Sequence, residues 1–349
     1  IKVAFYSPVV AITLAEEFGF KPGKDISGLI NALLRKLGFT KIFNTSFGAD
    51  IVLHEEAALL AKRAEEIAPW PLFSSNCPAW VKYAEQTFPE LLEHLSNIRS
   101  PQQTMGALVK NFMNPDSKTD PSGYYTVSIT PCTAGKFENQ RIELCTAGLP
   151  DVDCVITTRE LARLIRINGI DLHSLEPEHT DKPFGMYSAS GKLFFTPGGH
   201  TEGLIRTFYH HLTGKEFIKS KISVLRHNKG IKEFNLEIAG KNFGFAAVNG
   251  LKNLKLLLEE IKNGTKRLHF VEVMACKNGC IAGGGQPVKF GNDSVKPRLK
   301  SFYEDDEKAS IKIPAKNPVI NNFFNETEGV TTKEILKAVT TTFSTKHTL

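Results

Sequence analysis

At 349 residues the chain has room for one large domain or two lobes, and 41% apolar with 23% charged residues is the balance of a core-forming globular protein. No apolar run reaches the ~20 residues of a membrane span, and no secretory h-region opens the chain. A formal charge of +6, carried by scattered lysines without interleaved aromatics, speaks against nucleic acid as a partner; a basic face suits either simple solvation or docking of an acidic electron carrier.

The opening IKVAFY reads as a short buried strand. In DISGLINALLRKLG apolar residues recur at helical spacing, with Asp25 or Ser27 placed to cap the helix and Gly38 to stop it. HEEAALLAKRAEEI is a second amphipathic helix, ended by Pro69-Trp70-Pro71. PLFSSNCPAW passes from an apolar strand through a small polar loop to a proline that opens the next helix, AWVKYAEQTFPELLEHL, interrupted at Pro89. YYTVSIT is β-rich and ends at Pro131-Cys132. VDCVITTRELARLIRINGI reads strand, Thr157 or Thr158 as N-cap, helix, then Gly169 as stop. GLIRTFYHHLTG and KNLKLLLEEIKNG are helical, and LHFVEVMA is a strand. Such alternation predicts an α/β fold with mostly parallel, twisted sheets flanked by helices. After about residue 295 the chain turns charged and helical, with the polar end TTTFSTKHTL, and reads as a tail on the surface.

Six cysteines occur, Cys77, Cys132, Cys145, Cys154, Cys276 and Cys280. In a long chain without an export signal, thiols or metal ligands are favoured over disulfides. Cys77 follows strand PLFSS, Cys132 follows YYTVSIT, Cys276 follows LHFVEVM, and Cys280 lies one helical turn later. Ligands gather beyond the carboxyl ends of strands in open α/β sheets. Three strand ends can therefore deliver four thiolates to one place, the complement of a [4Fe–4S] cluster. Gly279, Gly283, Gly284 and Gly285 would let backbone approach a bulky inorganic core and offer N–H donors to its sulfides. Zinc also accepts four cysteines, although structural zinc usually shows two short Cys knuckles and only one is present. A redox dithiol is more typically C-x-x-C, and unliganded thiols are the third reading. Cys154 lies within a strand and reads as a buried free cysteine; Cys145 lacks the strand-end context.

Three segments resemble the motifs of [FeFe]-hydrogenase catalytic domains. FSSNCPAW, with its downstream SPQQ, is similar to the family's TSCCPxW; TVSITPCTAGKFENQR to MPCTAKKxE; and VEVMACKNGCIAGGGQP to MACxxGCxxGGGQP. The likeness runs on through DVDCVITTRELARLI and TPGGHTEGLIRTFYHHLTGKE into the tail, and so covers nearly the whole chain. The resemblance implies two α/β lobes with a cofactor in the cleft between them. It implies a large-subunit-like domain over 1–294 and a small-subunit-like tail over 295–349. Cys77, Cys132, Cys276 and Cys280 would hold a [4Fe–4S] cubane. Cys280 would be shared with a diiron unit carrying CO, CN⁻ and a bridging dithiolate, the two together forming the H-cluster. The implied reaction is reversible H₂ oxidation and proton reduction with a ferredoxin-like carrier, in the cytoplasm or the lumen of an anaerobic organelle. No C-x₂-C-x₂-C run for accessory clusters occurs, and the first residue is Ile, which points to a fragment or processed form.

The departures from the family concentrate around the diiron unit. Asn76 stands where a second cysteine relays protons; an amide cannot titrate there. Gly135 replaces the first lysine of a pair whose cation bonds a cyanide. Thr130 replaces a methionine, Leu59 falls where a relay glutamate is common, and GMYSAS replaces a GESTGA-like stretch. Glu56, Ser96 and Arg63 match relay positions, Met274 lies beside the diiron unit, and Gln102 with Ser100 shapes the wall, where Thr130, Gly283 and Gly284 are also cofactor-facing candidates. His54, His94, His200, His210 and His211 read as surface or core residues. The changes predict a hydrogenase with an impaired or unusual proton relay, or, as the alternative, a sensory or electron-transfer homologue holding mainly the cubane. An iron–sulfur assembly role ranks last, because relatives in that role usually add an N-terminal cysteine set.

Overall fold

β-branched and aromatic residues crowd the short runs that become strands, where they pack on a pleated, covered surface. The computed structural model describes residues 1–66, 68–113, 120–217, 219–226, 229–287, 295–324 and 331–346. Among these, ten strands occur: β1 (Lys2–Tyr6), β2 (Lys41–Asn44), β3 (Leu72–Phe73), β4 (Tyr125–Thr130), β5 (Cys145–Thr146), β6 (Leu149–Pro150), β7 (Cys154–Thr157), β8 (Ile231–Ile238), β9 (Lys241–Asn249) and β10 (Phe270–Met274). One sheet has the order β2-β1-β4-β7 and is parallel throughout. The other has the order β3-β10-β9-β8, parallel except for the β8–β9 pair. Val3 to Tyr6 are fully buried, as a parallel strand covered by helices on both faces requires. β10 is buried along its whole length, including Glu272, whose carboxylate accepts from Gly198 N, Thr201 N and Thr201 Oγ1 at 2.8 Å each.

Helix boundaries follow local chemistry where a face is wet. Thr157 caps the Thr158–Ile167 helix in a reciprocal box with Glu160, and Gly169 takes φ +60° just past its end. Asp25 Oδ1 accepts from Ser27 N at 2.8 Å ahead of the Ser27–Lys36 helix. The Pro78–Thr87 helix stops at Phe88, and Pro89 opens a tighter 3₁₀ segment, Pro89–His94.

Two segments differ from the sequence reading for one physical reason. The helix read from His54 onward begins at Ser46, and the Pro8–Glu17 helix is not anticipated at all. Residues 46–53 and 8–16 are buried on every face, so they carry no polar stripe to mark a helical period. The β8–β9 hairpin is likewise unforeseen; it turns at Ala239-Gly240, both at positive φ.

The C-terminal segment is not a surface tail. Phe302 of the Val295–Lys308 helix is buried among Val9, Ile12 and Leu193, and Ile320, Phe323, Ile335 and Val339 complete a core around Phe43, Phe47 and Phe184. Alternating charged and apolar residues gave this region its polar look while its apolar face entered the core. The expected boundary between 294 and 295 abuts residues 288–294, which lie outside the described residues, as do 347–349 of the polar end. The buried Arg298 guanidinium pairs with Glu16, Nε to Oε1 at 2.9 Å and Nη2 to Oε2 at 2.6 Å. Arg298→Ala strands that carboxylate, and we expect a loss of about 3–5 kcal/mol in urea unfolding; a loss under ~1 kcal/mol would contradict this pairing role. Among the described residues no helix is long and apolar enough to cross a membrane.

Candidate metal centre

The carboxyl ends of five strands meet at one cavity. Ser7 follows β1, Thr45 follows β2, Asn76 and Cys77 follow β3, Thr130 closes β4 just before Cys132, and Met274 closes β10 just before Cys276. Cys280, on the 3₁₀ turn Cys280–Ala282, lines the same space, which amounts to about 770 Å³ of non-atom volume, mouth included. Three of the four thiols thus come from the β10 sheet and one, Cys132, from the β1 sheet. Cys77 is the N-cap residue of the Pro78–Thr87 helix, and its sulfur accepts from Ala275 N at 3.4 Å.

Burial pushes all four thiols up, Cys132 to about 12. Mutual repulsion adds to this: Cys280 faces Cys132, Cys77 and Cys276, and Cys132 faces Cys77 and Cys276. Backbone N–H groups oppose it, from Ala275, Trp80 and Ala79 at Cys77, from Gly135 and Ala134 at Cys132, and from Gly284 at Cys276. Such a set ionises together only against a highly charged core, and binding it releases protons. Among the described residues no three His, Cys, Asp or Glu side chains converge on one ion position. Four mutually repelling thiols delivered from separate strand ends, with glycine backbone packed close by, are a donor set that fits a [4Fe–4S] cluster. Two polar atoms on the cavity-lining residues, Asn76 Oδ1 and Ser7 Oγ, are buried without a protein partner, which also fits a group bound between the walls. Cys145 and Cys154 are partly buried and line no part of it.

The glycines serve the site differently from the sequence reading. A Cβ on Gly283 would collide with the Pro131 carbonyl oxygen, and one on Gly279, at φ +64°, would lie 2.8 Å from Met274 Sδ. Their bareness lets the Cys280 turn pack against the Cys132 loop and Met274. The N–H groups of Gly279, Gly283 and Gly285 are taken by the carbonyls of Cys276, Cys280 and Pro131. Gly284 is exposed; its N–H reaches the Cys276 thiol.

Of the other candidate residues, Asn76, Thr130, Gly135, Gln102, Met274 and Gly283 lie on the cavity wall. Thr130 Oγ1 accepts from Cys132 N at 3.3 Å. Gln102 fills the space beside Gly135: its Nε2 donates to Gly135 O at 3.2 Å and Glu138 Oε2 at 3.1 Å, while Ser128 Oγ donates to its Oε1 at 2.9 Å. A Cβ at 135 would lie 3.1 Å from that Oε1, so a lysine there requires Gln102 to move. Glu56, Ser96 and Arg63 do not reach the wall. Glu56 is buried against His200 Nε2 at 2.5 Å, Ser96 Oγ accepts from Ile98 N at 3.4 Å, and Arg63 donates to the carbonyls of Pro69 and Glu93. His200 is therefore more than a core residue: it holds the one carboxylate expected to relay, in a sequence position no motif marked. The wall also includes Ser7, Phe194 and Glu138, which the sequence reading did not single out.

Two largely parallel sheets that bring four cysteines to one cavity are the architecture expected of a protein that holds an iron–sulfur cluster. A family model described as the C-terminal domain of the iron only hydrogenase large subunit matches residues 1–284, and the chain belongs to that family. It is 38% identical over 329 residues to Iron hydrogenase 1 of Clostridium pasteurianum, covering 92% of this chain and 57% of that protein. It is 35% identical over 291 residues to Cytosolic iron-sulfur assembly component 3 of Bos taurus, covering 80% of this chain and 61% of that one. The chain thus spans somewhat under two thirds of each. Its fold superposes on an [FeFe]-hydrogenase HydA1 variant from Chlamydomonas reinhardtii with a TM-score of 0.86 at 29% identity, over 99% of this chain and 95% of the other.

Proposed function

We propose that this chain is the catalytic domain of an [FeFe]-hydrogenase-type protein, interconverting H₂ with two protons and two electrons, with proton transfer rebuilt relative to its family. The observation that carries the reading is the convergence of Cys77, Cys132, Cys276 and Cys280 on one buried cavity at the strand ends of both sheets. These four would hold a [4Fe–4S] cubane, Cys280 being shared with a diiron unit. When bound, that group supplies hydrogen activation at iron and an electron store in the cubane.

The chain's own residues set the surroundings. Met274, Phe194 and Phe195 present apolar surface to the cavity and help exclude water. Backbone N–H groups at Cys77, Cys132 and Cys276 stabilise thiolate over thiol. Gln102, held by Ser128 and Glu138, offers a neutral wall where the family has a cation. Electrons would pass to an external ferredoxin-like carrier, in the cytoplasm or an anaerobic organelle.

A second reading is a sensory or electron-transfer homologue holding mainly the cubane. It is favoured by the non-titrating Asn76 and by the Glu56–His200 pair, which diverts an expected relay acid. The likeness to an iron–sulfur assembly component supports a third, in which the cubane alone matters. Anaerobic maturation with iron counting and infrared spectroscopy separates them. The hydrogenase reading expects about six irons per chain, CO and CN⁻ bands, and H₂ evolution from reduced viologen. About four irons without those bands would reject it and leave a cubane-only protein.

A further inference from the structure

Glu138 is the one carboxyl group on the cavity wall among the described residues. It is only 6% exposed. Its Oε2 accepts from Ser100 Oγ at 3.0 Å and from Gln102 Nε2 at 3.1 Å. The Gln103 amide lies against the same carboxyl, with neither of its polar atoms in a well-aligned hydrogen bond. Arg141 is the cation acting on it, but that guanidinium is committed elsewhere: Nη2 and Nη1 donate to Glu85 at 2.6 and 2.9 Å, and Nε donates to Glu143 at 2.9 Å. Two further cations nearby are also engaged, Arg99 with Asp151 and Lys136 with Glu160. Burial therefore prevails over the hydrogen bonds and Arg141 and pushes Glu138 up to about 7.

A second cavity, of about 310 Å³ non-atom volume, adjoins the same carboxyl. It shares Pro78, Ser100 and Glu138 with the first and is also lined by Arg99, Arg141 and Thr341. Thr341 Oγ1 is buried there without a protein partner, a polar atom of the kind water satisfies. The neighbouring segment is exposed at Thr342, Ser344 and Thr345, and it is tied to Glu85 by Ser344 N at 3.4 Å and Lys346 N at 3.1 Å. Glu138 thus stands between the four-cysteine cavity and a second cavity of mixed lining, its polar residues beside Val81, Ile98, Leu144 and Phe343, the last of which adjoins the exposed residues Thr342 and Ser344. The expected route offers nothing comparable, since Asn76 cannot titrate, Leu59 is apolar and Glu56 is held by His200 off the wall.

We propose that Glu138 is the proton relay of this chain, exchanging protons between the four-cysteine cavity and solvent through the second cavity beside residues 342–346. This rests on the hydrogenase reading above. In H₂ oxidation the carboxylate takes up one proton on an Oε oxygen from the cavity side. The resulting acid gives that proton to a water molecule in the second cavity, at the place the unpartnered Thr341 Oγ1 marks, which carries it out as hydronium, and Glu138 returns to carboxylate. Proton reduction runs the same exchange in reverse. Only O–H bonds form and break at Glu138, and the electrons leave separately toward the external carrier.

The test compares wild type, Glu138→Gln, Glu138→Asp and the double variant Asn76→Cys/Glu138→Gln after anaerobic maturation. Iron content and CO and CN⁻ bands are expected to be the same in all four. Glu138→Gln should lose turnover by about 10²-fold or more, Glu138→Asp should retain much of it, and the added thiol should restore it. A readout apart from activity is the infrared carboxyl C=O band of protein loaded with the cubane alone. That band should be absent in Glu138→Gln, shift in D₂O, and in wild type disappear on raising the pH with a midpoint near 7. Full turnover in Glu138→Gln with its bands intact, or a wild-type carboxyl that stays ionised across the neutral range, would overturn the relay alone. A wild type with neither CO and CN⁻ bands nor turnover would overturn the hydrogenase reading, and the relay with it.

Discussion

Cys132→Ala is expected to take the iron content of the reconstituted protein from about four per chain to near zero and, after full maturation, to show none of the H₂ turnover of the wild type. Of the four thiols on the cavity, Cys132 follows a strand of the β2-β1-β4-β7 sheet; the other three follow strands of the sheet of β3 and β10. Its loss leaves three sulfurs on one lobe and removes the bond that a cluster would make across the cleft. Because metal binding at such a site is linked to folding, the loaded wild type should also unfold at a higher temperature than this variant. Cys145→Ala and Cys154→Ala serve as controls and should keep their iron, since neither thiol lines the cavity. Iron retained in Cys132→Ala would break the assignment of that residue.

Asn76→Cys should raise H₂ evolution most at alkaline pH. Glu138 rises to about 7 on burial, so its acid form becomes scarce above that point. At 1.5 pH units higher, about 3% of it remains protonated. A thiol at position 76, with an ordinary pKa near 8.5, keeps about half of its protons there and supplies a donor beside Cys77, on a wall where Asn76 Oδ1 has no protein partner. The expected gain is about tenfold or more at pH 8.5 and small at pH 6. Equal gains at both values would show that Glu138 does not limit the native chain.

The same shift affects stability in the cofactor-free protein. Glu138 binds its proton more tightly when folded than at its ordinary carboxyl value of 4.5. The folded state therefore holds more protons between about 4.5 and 7, and stability falls as pH rises through that window. Urea midpoints should show this fall in wild type and a weaker one in Glu138→Gln. An identical pH dependence in the two proteins would contradict the shift.

Strand ends were legible because they pair an abrupt apolar run with a chemically distinctive residue. PLFSS before Cys77, YYTVSIT before Cys132 and LHFVEVM before Cys276 are each seen in the sequence and each lead directly into a wall of one cavity. Capping at Thr157 was legible for a similar reason, since one hydroxyl and one glutamate three residues on satisfy the helix end locally. The fully buried helices were not. Residues 8–16 and 46–53 touch protein on all sides, so their sequence holds no contrast from which a period can be read. Nor was the apolar face of the C-terminal segment, hidden among lysines and acids.

The surroundings of the candidate relay residues were not legible because spacing along the chain says little about which partner a buried acid finds. Glu56 is held by His200, 144 residues away, and no local pattern joins them. Glu138 was in plain view, three residues after Gly135 on the short Gly135–Glu138 helix, but an isolated acid within a motif carries no sign of the second cavity behind it. The glycines of the last motif were visible as a need for close approach. What they approach, the Pro131 carbonyl and Met274, is decided by tertiary packing.

The most direct measurement is an anomalous iron diffraction map of anaerobically reconstituted crystals. We expect the four irons of a single cube between the sheets, each bonded to a different sulfur of Cys77, Cys132, Cys276 and Cys280. Iron held at Cys145 or Cys154, or one metal ion shared by the four sulfurs, would contradict the assignment.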